Sequence, residues 1–115
     1  MINANELRIG NKISHRTVIK SVIAIAKDDI IVAGFGGSGE CFEPIPLTTE
    51  ILKKIGFSEK WDDGYYEYQY KNIVLDLTDG GLMTQCHYEI VLTNLHQLQN
   101  LYFALTDEEI ETNDL

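Results

Sequence analysis

The stretch "YYEYQYKNIVLDL", residues 65–77, decides how the second half of this chain folds. Tyr66, Tyr68 and Tyr70 alternate with Glu67, Gln69 and Lys71, the period of a strand with one aromatic and one polar face. A two-residue turn at Lys71-Asn72 sets Tyr70 opposite Ile73, Tyr68 opposite Leu75 and Tyr66 opposite Leu77. Both strands then offer their apolar residues to one face, and a slip of one residue would turn one set to water. "TDGG" (78–81) makes the next turn, and "LMTQCHYEIVL" (82–92) puts Leu82, Cys86, Tyr88, Ile90 and Leu92 on one face. The expectation is a three-stranded antiparallel meander with an apolar side that needs a cover.

The cover follows in sequence. Leu95, Leu98, Leu101, Tyr102 and Leu105 recur at helical spacing, which predicts a helix over 94–105 lying on the sheet. His96, Gln99 and Phe103, at i, i+3 and i+7, occupy another side of that helix. They either pack against the first half of the chain or form a partner surface, and packing is favoured. "TDEEI" (106–110) reads as a capping box with Thr106 as cap, Glu109 three residues on and Leu105 stapled to Ile110. The acidic tail "ETNDL" (111–115) is expected to fray.

Upstream, residues 48–56 carry both helix ends. Thr48 is a cap, Glu50 sits in the first turn, Lys53 and Lys54 in the last, and Gly56 can close in a left-handed conformation with Phe57 against Leu52. "SEKWDDG" (58–64) reads as a linker. Before the helix, "ELRIGNKI", "TVIKSVIAIA", "IIVAGF" and "CFEPIP" read as short strands separated by turn residues. This predicts a small SH3-like antiparallel barrel over 6–46. "GFGGSGE" (34–40) is a flexible hairpin loop rather than a phosphate cradle, because Glu40 and an extended "CFEPIP" follow it instead of a helix. The fold class is therefore α+β: one domain, 1–115, with the barrel at 6–46 and the helix, meander and C-terminal helix at 47–115.

A chain of 115 residues with 44% apolar content can bury a core without staples. Two cysteines and no charged-then-apolar leader argue against a secreted disulfide scaffold, and no apolar run is long enough to span a bilayer. A cytoplasmic protein is expected. Residues 1–60 hold eight Lys or Arg and seven acids, a net of +1, whereas residues 61–115 hold one Lys and eleven acids, a net of −10. Arg8, Lys12, Arg16 and Lys20 are a candidate basic patch within the N-terminal strands. Those few cations work against the acidic half, and the tyrosine ladder faces inward, so measurable DNA binding at physiological salt is not expected.

The catalytic constellations are thin. Cys86 and His87 are neighbours in a strand and point to opposite faces, so they make no dyad, and Cys41 and Cys86 read as small hydrophobes without reactivity. Cys41, Cys86, His87, His96 and His15 lack the close ligand pair that zinc sites use. Asp62-Asp63, Asp76 with Asp79, and the run from Asp107 to Glu111 sit where turns and helix starts explain acids. No enzyme, cofactor or metal is expected.

"NANELRIGN" (3–11), "FEPIPLTTEILKKIGF" (42–57) and "LHQLQNLYFALTDEEIE" (95–111) resemble a family of small uncharacterised proteins encoded in Bacteroides and related bacteria, often on phage or other mobile elements. The resemblance spans nearly the whole chain. It implies a bacterial, intracellular origin and no activity, cofactor or catalytic residue. The expected function is a non-catalytic binding module for an as yet unspecified protein. The alternative is a nucleic-acid-linked role, through the basic strands or through the acidic half as a nucleic-acid mimic.

Overall fold

The hairpin read at 65–77 lies at the centre of a five-stranded antiparallel sheet. A computed structural model describes residues 1–62, 64–84, 90–113 and 115, the side chain at position 62 excepted. Strands β6 (Tyr65–Tyr70) and β7 (Ile73–Thr78) pair Tyr70 with Ile73, Tyr68 with Leu75 and Tyr66 with Leu77, the register that alternation alone requires. Lys71 opens the turn with φ of 49°. Tyr68, Ile73 and Leu75 are buried, but Tyr66 is not. The aromatic row therefore runs out of the core at one end.

The sheet is wider than a three-stranded meander. Ser58–Asp62, read as a linker, is strand β5, and it pairs along β6 from Ser58 opposite Gln69 to Asp62 opposite Tyr65. Its residues give no alternating signal, so its place is set by the backbone ladder and by β6. On the far side β8 (Gly81–Thr84) pairs with β7, and the short β9 (Val91–Leu92) with β8. Cys86, His87 and Tyr88 lie outside the described residues. Ile90, expected on the apolar face, is exposed.

Helix α1 (Thr49–Ile55) has the ends written in its sequence. The Thr48 hydroxyl accepts from the Ile51 amide at 3.2 Å. At the other end Gly56 has φ of 121°, its amide donates to Lys53 O at 3.2 Å, and the Phe57 amide donates to Leu52 O at 2.9 Å. Those two bonds are the paired closure of a Schellman motif. Leu52, Ile55 and Phe57 join Tyr68, Leu75, Leu98 and Tyr102 in one core cluster.

Helix α2 (Leu95–Thr106) supplies the other half of that core through Leu95, Leu98 and Tyr102. It starts where Gln97 Oε1 accepts from the Thr93 amide at 2.8 Å and the Asn94 amide at 3.0 Å. Its end corrects the expected capping box. Thr106 closes α2 instead of starting a new turn, with its hydroxyl donating to Tyr102 O at 2.7 Å, and Asp107 follows in the left-handed region with φ of 60°. Leu105 is exposed and staples nothing, while Ile110 and Thr112 are buried and Leu115 packs on the core. The tail is thus held by apolar contacts, where its acidic composition had suggested fraying.

The first half is a four-stranded antiparallel sheet in the order β1 (Lys12–His15), β2 (Val18–Ala26), β3 (Asp29–Val32), β4 (Phe35–Ser38). Leu7–Ile9 is not a strand. "IIVAGF" is cut in two by a turn at Gly34, whose φ is 81°, so Gly36 and Gly37 sit in β4 and not in a loop. "CFEPIP" makes only single bridges, Ser14 with Glu43 and Pro46 with Asn94. Among the described residues the four strands pair only in sequence order, and no closed barrel forms. A second core cluster, with Ile13, Val22, Ile30, Val32 and Phe42, lies under this sheet.

Candidate functional site

The two surfaces singled out in the sequence turn out to face each other. Lys12 donates its backbone amide to Gln99 Oε1 at 2.7 Å across 87 residues, and Gln99 Nε2 donates to Gly10 O at 3.2 Å. Asn11 Nδ2 donates to Asn100 Oδ1 at 2.8 Å, and Asn100 Nδ2 to Glu6 O at 3.0 Å. Arg8 lies over the Phe103 ring, 4.2 Å from its centroid, and forms a forked ion pair with Glu109. Phe103 thus meets the first half through Arg8. His96 and Gln99, each 1% exposed, are inside this seam and leave no surface there for a partner. The cross-seam bonds of Asn11, Lys12, Gln99 and Asn100 fit one relative placement of the two segments, which specifies one docking of the helix on the N-terminal sheet.

The basic patch is dispersed by the same contacts. Arg8 is neutralised by Glu109, Lys12 Nζ donates to Ser21 Oγ at 2.8 Å, and Lys20 Nζ donates to Ala33 O at 3.2 Å. Arg16 is in an exposed turn with φ of 50°. A cavity of about 350 Å³ borders the seam, lined by Lys12, Ser21, Gln99, Glu109 and Thr112 among others.

Within the seam Arg8 Nε and both ring nitrogens of His96 are buried without a hydrogen-bond partner. Burial pushes the His96 pKa below the ordinary histidine value, opposed by the negative charge of Glu6. The folded chain therefore resists a proton that the unfolded chain takes up from about pH 6.5 downward. Stability from this group is complete above that pH and declines as pH falls through the window beneath it, by at most about 1.4 kcal/mol per pH unit. Urea unfolding at pH 7.5, 6.5 and 5.5 should show the decline, and His96→Leu should flatten it. An unchanged slope in His96→Leu would assign the decline to other groups.

The exposed aromatic residues lie elsewhere. Trp61 and Tyr66 are direct cross-strand partners, 60% and 41% exposed, with ring centroids 4.8 Å apart at 67°. They share the face of Tyr68, beyond the part of the sheet that the helices cover. The neighbouring pair on the same face is closed: the Tyr68 hydroxyl donates to Glu59 Oε2 at 2.6 Å, and Lys53 Nζ lies 3.2 Å from the same oxygen. Burial first, then the Glu59 carboxylate, pushes the Tyr68 phenol up to about 12, while the Tyr68 hydroxyl and then Lys53 hold Glu59 below the usual carboxylate range. The pair locks α1 to β5 and β6 and leaves Trp61 as the open end.

No family model, curated protein or solved structure matches the chain. The residues themselves therefore carry the functional argument. Among the described residues no group of three or more His, Cys, Asp or Glu is placed to hold a metal ion. His15 stacks on Phe35 with centroids 4.1 Å apart, Asp76 is buried in β7 opposite Glu67, and Cys41 is exposed in a 3-10 turn instead of packed as a small hydrophobe. Among the described residues no helix is long and apolar enough to cross a membrane. Trp61 was missed in the sequence because it stands alone among Ser, Glu, Lys and Asp. The signal available was that it is the single tryptophan of the chain and sits in a polar stretch.

Proposed function

We propose that this chain is a non-catalytic protein-binding module that meets its partner at the open end of the second sheet, with Trp61 and Tyr66 as the anchors. The observation that carries the reading is the exposure of an edge-to-face Trp–Tyr pair on the core-side face of a sheet, where such residues are otherwise buried. Tryptophan and tyrosine bury large area with few rotors, and they dominate binding energy at protein interfaces. The net of −10 in residues 61–115 favours a partner with a basic contact face. The nucleic-acid reading has less support, since three of the four patch cations are already engaged within the chain. In this proposal the protein acts in the bacterial cytoplasm, as a member of the Bacteroides-associated family it resembles. Its first half is an SH3-like variant whose Ser14–Glu43 bridge returns the chain after β4 to β1.

Affinity capture from a Bacteroides lysate with mass spectrometry tests the reading. Wild type should retain one dominant protein, and Trp61→Ala should lose it with an unaltered melting curve. A dominant partner held equally by Trp61→Ala would place the surface elsewhere, and nuclease-sensitive recovery would favour nucleic acid.

A further inference from the structure

The open aromatic pair sits at the end of an open strand edge. The five-stranded sheet runs β5-β6-β7-β8-β9, so β5 and β9 are its edges. Just beyond β9 the chain is closed by the segment 45–47, with Leu47 donating to Thr93 O at 2.9 Å and Leu95 to Ile45 O at 2.8 Å. In the other sheet β1 is bridged by Glu43 through two bonds of 2.9 Å, and the end of β4 is met by the Ile2 amide at Gly39 O, 2.9 Å. Among the described residues no backbone group meets the outer edge of β5. A bare edge of that length presents about two or three outward N–H and C=O groups, which template the addition of another strand.

We infer that the outer edge of β5 accepts an extended basic segment of a partner protein as a sixth strand, with an apolar side chain seated against Trp61 and Tyr66. This rests on the protein-binding reading above and specifies its mode. A second copy of this chain is the disfavoured occupant. Antiparallel self-pairing that uses all of Ser58–Asp62 sets Lys60 directly opposite its own copy, and like charges at that spacing repel. The chain's net charge of −9 repels a second copy at long range and attracts a basic segment instead. Side chains of an added strand alternate between faces, so only every second residue can reach the Trp61 face. The recognised pattern is therefore an apolar residue facing Trp61, with Lys or Arg among its neighbours.

A phage-displayed linear dodecapeptide library, selected on the full chain, supplies the probe. Selected peptides should carry Lys or Arg with alternating apolar residues, and should shift the backbone amide resonances of Ser58, Glu59 and Lys60. N-methylation of the alternate peptide residues that face β5 should weaken binding at least tenfold. Methylation of the other set should not, and Trp61→Ala should weaken binding about tenfold. Peptides that tolerate both methylation patterns would overturn strand addition while leaving Trp61 as an anchor. Shifts confined to other strands, concentration-dependent dimerisation through β5, or no enrichment would also overturn it. Loss of the native partner in Trp61→Ala would still stand on its own in each of those cases.

Discussion

Leu98→Ala should cost about 3–5 kcal/mol, whereas Leu105→Ala, in the same helix and on the same leucine stripe of the sequence, should change stability by no more than about 0.5 kcal/mol. Leu98 is fully buried in the cluster between α2 and the second sheet, and Leu105 is 66% exposed. Removing the Leu98 side chain forfeits its transfer free energy and leaves a cavity, because Tyr68, Leu75 and Tyr102 are held by the sheet and the helix and cannot all collapse into it. A domain of this size has only about 5–15 kcal/mol of total stability, so the loss should appear as a fall in melting temperature of roughly 10–25 °C. Thermal and urea unfolding of both variants provide the comparison. Equal costs at the two positions would show that α2 is not seated through Leu98.

Gly39→Ala is expected to be the most disruptive substitution of a single small residue. A Cβ at position 39 would lie 1.6 Å from the Ile2 carbonyl oxygen and 2.8 Å from its carbon, both of them backbone atoms that no rotamer change can move. The obstacle is space alone, since Gly39 has an ordinary backbone conformation. The N-terminal residues must leave. With them go the 2.9 Å bond from the Ile2 amide to Gly39 O, the burial of the Ile2 side chain and the 2.8 Å contact of the N-terminal ammonium with Glu43. Exposing one isoleucine costs about 1.5–3 kcal/mol and a lost hydrogen bond about 1 kcal/mol. The exposed N-terminal pair adds little. A total of roughly 2.5–4 kcal/mol is expected from urea unfolding. The mechanism predicts non-additivity: in an Ile2→Ala background, Gly39→Ala should cost markedly less, because part of the same contact is already gone. Full additivity, or a Gly39→Ala variant as stable as wild type, would contradict the close approach of these two segments.

A third expectation joins these to the pH dependence at His96. Leu98 and His96 are buried on neighbouring sides of one helix, Leu98 among apolar groups and His96 beside the polar seam. Acidification should therefore loosen the docking of α2 on the N-terminal sheet while leaving the contacts of Leu98 to the second sheet in place. Hydrogen exchange at pH 5.5 should rise first at amides of the seam, such as Lys12, whose partner is Gln99 Oε1.

Some of this architecture is local and so was legible in one dimension. The register of β6 with β7 follows from a period of two residues and a two-residue turn, both of which act between near neighbours. The ends of α1 follow from Thr48 and Gly56, each meeting a backbone group within four residues. The rest depends on what arrives from far along the chain. An apolar stripe states which sides of α2 can be buried, but the width of the sheet and the position of residues 6–12 decide that Leu105 stays in water and His96 and Gln99 do not. Gln99 is polar and carries no sequence mark of burial; its partners, Lys12 and Gly10, are 87 and 89 residues away and pay for its desolvation with backbone hydrogen bonds. Likewise Ser58–Asp62 has no apolar alternation to read, because its core-side positions, Glu59 and Trp61, stay exposed at the end of the sheet. Local chemistry alone determined the hairpin and the two ends of α1; the docking and end of α2, the width of the sheet and the exposure of Trp61 were decided only in three dimensions, where burial depends on which surface comes to lie opposite.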